Sequence, residues 1–267
     1  MRRARVAYAG AIHEATPAEG GAIRLADGRV VAEVDVVWLP PVEPGAVIAL
    51  GLNYADHARE LSFQAQDEPL VFLKNPATLV GHRGQTRRPA DATFMHYECE
   101  LAVVIGRPAR RVARANAMEH VAGYTIANDY AVRDYLENWY RPNLRVKSRD
   151  GATVLGPWLV DAGEVEAPPQ LALRTLVNGK ETQSGHTRDL VFDIAFLIEY
   201  LSAFMTLAPG DVILTGTPEG VVDVKAGDEV ACEIEGLGRL VNRLVGDDVF
   251  GRRQPGRARG RARRKVT

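Results

Sequence analysis

Cysteine is scarce in this chain, with Cys99 and Cys232 the only two among 267 residues. Two cysteines are too few for a disulfide framework or for a zinc site built from thiolates. Both lie in apolar, strand-like sequence, so we expect them to be reduced residues of the core. Long apolar runs are missing as well: no segment approaches the ~18 residues of a membrane-spanning helix, and no apolar stretch follows the basic N-terminus. We therefore expect a soluble cytoplasmic protein.

Several enzyme signatures are also absent from the sequence. There is no Gly-rich phosphate-binding loop, no dinucleotide-binding fingerprint, no His-Glu-x-x-His zinc motif and no Gly-x-Ser-x-Gly nucleophile elbow. These absences count against nucleotide chemistry and against a serine hydrolase.

Acidic residues are absent after Asp248, where seven arginines and Lys265 add eight positive charges. The remainder of the chain has 25 basic against 34 acidic residues, a net charge of −9. The Gly, Pro and Arg composition of residues 249–267 cannot build a core, so this tail should be disordered. A basic tail can touch nucleic acid or remain a solvated end, but the acidic body argues against a broad phosphate-binding surface. We expect neither nucleic acid nor a membrane as a partner.

The apolar pattern divides the rest of the chain into two parts. Residues 1–45 are short β-like pieces that a proline-rich stretch closes off, which predicts a small N-terminal β lead-in subdomain. Residues 46–248 have enough apolar sequence for one larger domain. Short strands predominate there without a regular βαβ alternation, which predicts an α+β fold dominated by strands, with a few short helices.

The local signals predict individual elements within that domain. Asn53 is the expected N-cap of a helix over Tyr54–Leu61, and Phe192–Met205 is the one clear amphipathic helix. Arg141–Gly151 is expected to be a polar loop. Asn178-Gly179 is the strongest hairpin signal in the chain.

A group of acidic residues is the most informative chemical feature. Residues 96–100 are His-Tyr-Glu-Cys-Glu before a long apolar run, and alternate side chains of a strand share a face, so His96, Glu98 and Glu100 should lie together. Neighbouring carboxylates on a buried strand repel each other unless a cation lies between them or they share a proton. Asp129, at the end of another predicted strand, could complete a triad suited to Mg²⁺, Mn²⁺ or Ca²⁺. The alternative is a solvated sheet face, on which alternating acids are common.

His57 and Glu60 are three residues apart on the first predicted helix, so they share a face and can touch. A carboxylate beside an imidazole raises the histidine pKa and orients the ring, as a general base near neutral pH requires. From the spacing alone, a surface His-Glu pair is the favoured interpretation.

Three further residues have open roles. Lys147, in the polar loop, could neutralise a substrate carboxylate or be one more solvated cation. Lys74, at the end of an apolar strand, has the same two readings. Thr217, in Gly216-Thr-Pro after another apolar strand, could present its hydroxyl and N–H to an anion or only end the strand.

Together these segments resemble the fumarylacetoacetate hydrolase family, in its order and spacing, over about Val47 to Val245. The segments are Gly51-Leu-Asn-Tyr-Ala-Asp-His, Phe72-Leu-Lys, His96-Tyr-Glu-Cys-Glu-Leu, Gly123-Tyr-Thr-Ile-Ala-Asn-Asp and Leu214-Thr-Gly-Thr-Pro. A longer stretch, residues 133–151, is more distinctive. It resembles one branch of this family, the bifunctional isomerase/decarboxylases of 4-hydroxyphenylacetate (homoprotocatechuate) degradation, in their C-terminal half or separate C-terminal subunit.

The resemblance implies a mixed β-sandwich roll, catalytic over residues 46–248 and usually dimeric, with one Mg²⁺ or Mn²⁺. By the resemblance, Glu98, Glu100 and Asp129 are the metal ligands. The same comparison makes His57 and Glu60 an acid/base pair on a lid helix and Lys147 the active-site lysine. Thr217 would contact a substrate carboxylate, with Lys74 as a second candidate for substrate binding. His96 receives no assigned role.

The chemistry that the resemblance implies acts on 2-oxo acids, whose carboxylate and keto oxygens can chelate a metal together. Decarboxylation of 5-oxopent-3-ene-1,2,5-tricarboxylate and isomerisation of 2-hydroxyhepta-2,4-diene-1,7-dioate would share one metal-stabilised dienolate. We hypothesise that His57 and Glu60 manage the protons while Lys147 holds a distal or leaving carboxylate. A homodimer is expected, with room for a second isomerase/decarboxylase subunit.

Two other functions remain open from the sequence. The same scaffold could hydrolyse the C–C bond of an acylpyruvate such as fumarylpyruvate, with His57 and Glu60 activating water. A non-catalytic module that binds oxo acids or metal would be favoured by the loss of a triad or pair residue, and none is lost.

Overall fold

Strands dominate the computed structural model, which describes residues 1–56, 67–136 and 143–246. The first ten strands are β1 (Arg2–Tyr8), β2 (Ala11–Pro17), β3 (Ala22–Leu25), β4 (Val30–Ala32), β5 (Val37–Leu39), β6 (Val47–Gly51), β7 (Leu70–Lys74), β8 (Leu79–Val80), β9 (Gln85–Arg87) and β10 (Met95–His96). The remaining strands are β11 (Cys99–Ile105), β12 (Val121–Asp129), β13 (Ala131–Val132), β14 (Thr153–Asp161), β15 (Ala172–Val177), β16 (Lys180–His186), β17 (Val212–Leu214), β18 (Glu229–Ile234) and β19 (Gly238–Val245). The prediction of a strand-dominated α+β fold is confirmed.

Helices are few and short within the described residues. Two α-helices lie wholly within these residues, α1 (Leu144–Lys147) and α2 (Ile194–Phe204). Single 3₁₀ segments are Glu19–Gly21, Glu33–Asp35, Pro76–Thr78, Arg114–His120, Arg133–Tyr135, Ala162–Glu164 and Thr187–Asp189. In the described ranges, no helix combines the length and apolarity needed to cross a bilayer.

Two large sheets form the body of the molecule. The larger has twelve strands, ten of them in the order β4-β3-β2-β1-β14-β12-β11-β17-β6-β7, with β5 pairing to β1 and β8 to β14. The smaller has the order β16-β15-β18-β19-β9, and β10 pairs with β13 as a separate ribbon. Most pairs are antiparallel, but β17 runs parallel to β6, β19 to β9 and β8 to β14.

The centre of the larger sheet is buried on both faces. Alternate β11 residues, Leu101 and Val103 among them, enter the main core together with α2 and the five-stranded sheet. Ala102 and Val104, on the opposite face, join a second cluster with residues of β6, β14 and β17. A strand with two buried faces has little polar sequence, so a charged residue on it is informative.

Helix α2 forms as its sequence predicts. The Asp193 side chain accepts a hydrogen bond of 2.8 Å from the Phe196 N–H and caps the first turn. Leu197, Ile198 and Leu201 then form the buried face. The predicted helix over Phe192–Met205 is confirmed, with ends that differ by one or two residues.

One local prediction is wrong, and one strand was not predicted. Residues 144–147, expected within a polar loop, form α1, and its last residue, Lys147, is buried. Strand β14 is central to the larger sheet, yet the sequence pattern does not predict it, because Gly156-Pro157 interrupts its apolar run. The pairing of β12 with β14 absorbs this interruption with a register shift between Tyr124 and Ile126.

Candidate metal centre

Glu98, Glu100 and Asp129 converge where β11 begins and β12 ends. The pairing aligns Glu100 with Ala127, and the Asp129 N–H donates to the Glu98 carbonyl over 2.9 Å. Each residue offers a carboxylate oxygen within 4.8 Å of the others. Glu100 is 0% exposed, Asp129 1% and Glu98 6%, so these acids do not form a solvated sheet face. We name Glu98, Glu100 and Asp129 the carboxylate cluster.

Strand alternation explains the direction of the Glu100 side chain, whereas Glu98 lies just before the first residue of β11. Glu100 precedes Ala102 and Val104 on the same face of β11, whereas Cys99 and Leu101 face the main core. Both cysteines are buried free thiols, as the sequence predicts.

Two buried lysines hold the carboxylate cluster from one side. Lys147 Nζ lies 2.6 Å from Glu98 Oε2 and 3.0 Å from Asp129 Oδ2. Lys74 Nζ donates to Asp129 Oδ1 and to the carbonyl of Lys147. Both lysines therefore touch the acids, and neither is a solvated cation.

The pKa shifts of the two lysines differ in direction. Burial lowers the pKa of Lys74, against the attraction of Asp129. Burial also opposes the charge of Lys147, but Asp129 and Glu98 outweigh it and raise the Lys147 pKa above its ordinary value. Lys147 therefore remains a cation at neutral pH.

Part of the carboxylate cluster has no hydrogen-bond partner in the described structure. Glu100 Oε2 accepts the Gly216 N–H over 2.6 Å, but Glu100 Oε1 is buried without a partner. Asp129 Oδ2 is close to Lys147 without the geometry of a hydrogen bond. Burial, with repulsion from Asp129 and Glu98, raises the Glu100 pKa well above its usual range. Buried carboxylate oxygens without donors fit a hard divalent cation, which would satisfy them and remove this repulsion.

His96 lies beside the carboxylate cluster as a neutral ring. Its Nδ1 is 3.0 Å from the Tyr97 carbonyl, and its Nε2 accepts from Arg133 Nε over 2.8 Å. A second Arg133 nitrogen lies 3.7 Å from Glu98 Oε1. Burial lowers the His96 pKa to about 4, against the attraction of Glu98, so the ring carries no charge at neutral pH.

Thr217 follows Gly216, whose N–H is bound to Glu100, and is 3% exposed. Its Oγ1 accepts a hydrogen bond of 2.9 Å from Gln183 Nε2. The structure thus places Thr217 within one residue of a contact with the carboxylate cluster.

His57 and Glu60, the predicted acid/base pair, lie outside the described residues. Asn53 precedes them, and the helix that it was predicted to cap lies mostly outside the described residues; its Nδ2 donates to the Thr215 and Phe192 carbonyls, and its Oδ1 accepts the Phe192 N–H over 2.8 Å. Asn53 therefore ties the end of β6 to the segment that leads to Gly216.

Gly216 and Arg133 are neighbours of the carboxylate cluster that the sequence reasoning did not assign. Gly216 acts through its backbone N–H, which leaves no residue-type signal, although its φ of +94° favours glycine. Arg133 opens the distinctive stretch that reaches Lys147, and that position was the signal available.

A protein-family model matches most of this chain. The model described as "Fumarylacetoacetate (FAA) hydrolase C-terminal" matches residues 46–245, which contain the whole carboxylate cluster and both lysines.

The 4-hydroxyphenylacetate degradation bifunctional isomerase/decarboxylase of Salmonella dublin is 62% identical over 201 residues, which is 75% of this chain and 47% of that protein. The chain spans about half the length of the first curated relatives it matches.

Two solved structures extend the comparison. The 5-carboxymethyl-2-hydroxymuconate delta-isomerase of Mycobacterium smegmatis superposes with a TM-score of 0.82 at 40% identity, covering 92% of this chain and 99% of that one. The fumarylpyruvate hydrolase of Pseudomonas aeruginosa, in complex with Mn²⁺ and pyruvate, gives 0.72 at 34% identity, covering 78% and 91%. This chain belongs to the fumarylacetoacetate hydrolase family.

Proposed function

We propose that this protein is a Mg²⁺- or Mn²⁺-dependent decarboxylase and isomerase of 2-oxo dicarboxylic and tricarboxylic acids. Its substrates would be 5-oxopent-3-ene-1,2,5-tricarboxylate and 2-hydroxyhepta-2,4-diene-1,7-dioate, intermediates of aromatic catabolism. The identity to the Salmonella enzyme and the likeness to the mycobacterial isomerase support this choice of reaction.

The observation that carries the proposal is the buried carboxylate cluster with an oxygen that has no donor. Three buried acids so close together do not stabilise the fold by themselves, because their repulsion and lost hydration are unfavourable. When bound there, a divalent cation would supply Lewis acidity to the oxygens of a 2-oxo acid.

The side chains around the carboxylate cluster would bind the substrate and orient Asp129. Lys147 keeps its positive charge, so it would bind a carboxylate of the substrate, either the distal one or the one that leaves as CO₂. Lys74 would neutralise Asp129 and fix its orientation. The Arg133 side chain is 26% exposed at the edge of the cluster, where it can meet a second carboxylate of the substrate. Thr217 would donate its hydroxyl to the carboxylate of the 2-oxo acid.

His57 and Glu60 would move the protons, as the sequence predicts. Replacing them tests this part separately: His57→Asn and Glu60→Gln should lower the rate of isomerisation while leaving Mn²⁺ affinity unchanged. Equal loss of metal affinity in both variants would contradict an acid/base role.

The proposal extends to assembly and location. We infer a homodimer in the cytoplasm, because the resemblance implies one. The first curated relatives are about twice as long as the matched segment, so a second isomerase/decarboxylase chain could supply the other half.

The alternative is hydrolysis of an acylpyruvate C–C bond. It is favoured by the 34% identity to the fumarylpyruvate hydrolase, whose structure contains Mn²⁺ and pyruvate. The fold serves both chemistries, so the products must decide.

One experiment separates these functions. The pure protein, with Mg²⁺ or Mn²⁺, is incubated in turn with the tricarboxylate, the dienol dioate and fumarylpyruvate. We expect CO₂ from the first and loss of the dienol absorbance from the second, and Glu100→Gln should show neither. Fumarate and pyruvate from the third, without the other two reactions, would establish the hydrolase instead. No metal-dependent reaction with any of the three would refute both.

A further inference from the structure

Gln183, on β16 of the five-stranded sheet, is a buried amide that joins three segments of the chain. It is 3% exposed. Its Nε2 donates to Thr217 Oγ1 over 2.9 Å and to the Pro218 carbonyl over 2.7 Å. Its Oε1 accepts the hydroxyl of Thr175, on the neighbouring strand β15, over 2.8 Å. Every hydrogen-bonding side of this amide is therefore used.

The Pro218 carbonyl fixes which way the amide faces. A carbonyl oxygen can only accept, so the amide nitrogen of Gln183, and not its oxygen, must lie toward Pro218 and Thr217. The second Nε2 hydrogen is then directed at Thr217 Oγ1. Because the Thr217 oxygen accepts this hydrogen, its own O–H must point away from Gln183.

Close packing holds the Thr217 segment against β16. A Cβ placed on Gly185 would lie 2.6 Å from the Pro218 side chain, so only glycine allows this approach. Tyr97 adds a second tie, because its hydroxyl donates to Thr182 Oγ1 over 2.6 Å and lies 2.9 Å from the Gly220 carbonyl. The segment from Gly216 to Gly220 is thus fastened to β16 along its length.

We propose that Gln183 is a positioning residue that fixes the Thr217 hydroxyl as a hydrogen-bond donor toward the carboxylate of a 2-oxo acid. The chain of contacts runs from Thr175 through Gln183 to Thr217, one residue from the Gly216 N–H on Glu100. A hydroxyl that could rotate freely would serve as donor or acceptor, whereas one already accepting from Gln183 favours an anion. This inference rests on the proposed function, because it assumes that Thr217 meets a carboxylate.

The test measures the affinity of Mn²⁺-loaded protein for oxalate by calorimetry, in the full chain and its variants. Gln183→Met keeps the length of the side chain but donates no hydrogen bond. In Gln183→Glu, the Thr217 hydroxyl would donate its hydrogen bond to the new carboxylate and not to the ligand. We expect Gln183→Met to weaken oxalate binding about tenfold, the effect of one hydrogen bond to a charged group, and Gln183→Glu to weaken it further. Affinity for Mn²⁺ alone should stay within about twofold of wild type, since Gln183 touches no member of the carboxylate cluster.

A double-mutant cycle separates positioning from a general structural effect. Thr217→Val removes the hydroxyl through which Gln183 is inferred to act, so adding Gln183→Met should then weaken oxalate binding no further. If the two losses multiply, Gln183 acts independently of Thr217 and the proposal is wrong. Unchanged oxalate affinity in Gln183→Met alone would also refute it.

Two further outcomes are distinguishable. If wild-type protein loaded with Mn²⁺ does not bind oxalate, the proposed function fails before Gln183 is tested. Should Gln183→Met not fold, Thr175→Val removes the donor to Gln183 Oε1 and leaves the amide in place. That variant should lose oxalate affinity severalfold, and an affinity equal to wild type would overturn the inference.

Discussion

At the end of β12, Asp129 has different polar surroundings from its two chain neighbours, Asn128 and Tyr130. Asn128 and Tyr130 enter a set of uncharged groups with Asn242 and Thr86, which we name the neutral network. Tyr130 donates to Asn242 Oδ1 over 2.9 Å, Asn242 Nδ2 donates to Thr86 Oγ1 over 2.8 Å, and Thr86 donates to a backbone carbonyl over 2.7 Å. Asp129 enters the carboxylate cluster, where its Oδ2 lacks a proper donor.

The two regions differ in how completely their buried polar groups are hydrogen-bonded. In the neutral network, the side chains bind one another and the backbone, as buried polar groups with a structural role do. In the carboxylate cluster, lysines balance part of the charge and an oxygen remains without a partner. They meet where the Glu98 N–H donates to Asn128 Oδ1 over 3.2 Å, so the neutral network holds the backbone of a cluster residue.

The largest effect should come from Glu100→Gln, which keeps the shape of the side chain and removes its charge. We expect Mn²⁺ affinity to fall more than about 100-fold, above the loss seen for residues that only orient ligands. Without metal, the melting temperature should not fall, because a repelled buried charge has been removed. Calorimetric Mn²⁺ titration and thermal unfolding measure both, with the exposed Glu119→Gln as a matched control. Near-normal Mn²⁺ binding in Glu100→Gln would remove the distinction between the two regions.

Asn242→Leu should produce the next largest effect, and on a different quantity. It takes the acceptor from Tyr130 and the donor from Thr86, so the free energy of unfolding should fall by about 3 kcal/mol. Denaturant unfolding measures this, with exposed Gln85→Leu as the control. Mn²⁺ affinity of the folded variant should stay near wild type, and a large loss would mean that the two regions are not separable.

Metal binding itself should stabilise only protein with an intact carboxylate cluster. At Mn²⁺ concentrations 100 times the dissociation constant, the free energy of unfolding should rise by about 2.7 kcal/mol. The rise should persist in Asn242→Leu and vanish in Glu100→Gln at the same concentration. A rise of equal size in Glu100→Gln would place the stabilising ion elsewhere.

His82 is a further buried polar group, and its surroundings favour the neutral ring. Its Nδ1 accepts the Val241 N–H over 3.1 Å, its Nε2 lies 3.2 Å from Glu33, and burial lowers its pKa to about 4. Since the unfolded histidine titrates near 6.5, the unfolded state binds more protons below that pH, and stability is lost as the pH falls from about 6.5 toward 4. The loss should reach about 2 kcal/mol at pH 5 relative to pH 8. His82→Gln should show a flatter stability profile in denaturant unfolding over this range; an identical slope would assign the loss to other groups.

The smallest effect should come from Tyr130→Phe, which removes one hydroxyl from the neutral network. Asn242 Oδ1 keeps Asn128 as a weak donor at 3.4 Å, so the loss should be about 1 kcal/mol. Denaturant unfolding of this variant beside Asn242→Leu tests whether the network weakens in proportion to the partners removed. A Tyr130→Phe loss equal to that of Asn242→Leu would mean that Tyr130 alone accounts for the network.

Much of the sequence prediction of this site rests on the alternation of side chains between the two faces of a strand. The spacing of Glu98 and Glu100 predicts that the two carboxylates lie together, and this convergence is confirmed, although Glu98 lies just before β11 and not within it. The burial of Lys147 could not be predicted in the same way, because its stabilisation comes from Asp129 and Glu98, which are distant in sequence. A short helix such as α1 is held by tertiary contacts rather than by its own propensity.

The other features that the sequence did not predict also depend on contacts between different segments of the chain. Gly156-Pro157 argues locally against a strand, yet pairing with β12 on one side and with β1 and β8 on the other incorporates residues 153–161. Gln183 is one polar residue in a polar hairpin until Thr175 and Thr217 surround it. Partners far apart in sequence decided both cases.

Strand β1 pairs with β14 through Arg2 and Arg3, and then with β2 and β5 further along. One strand is thus shared by the first forty residues and by the sheet that carries the carboxylate cluster. A protein cut at residue 46 would uncover the backbone of β14 along Leu159 and Val160, an open edge that invites pairing with other chains. Removing this N-terminal segment would therefore make the protein prone to aggregation.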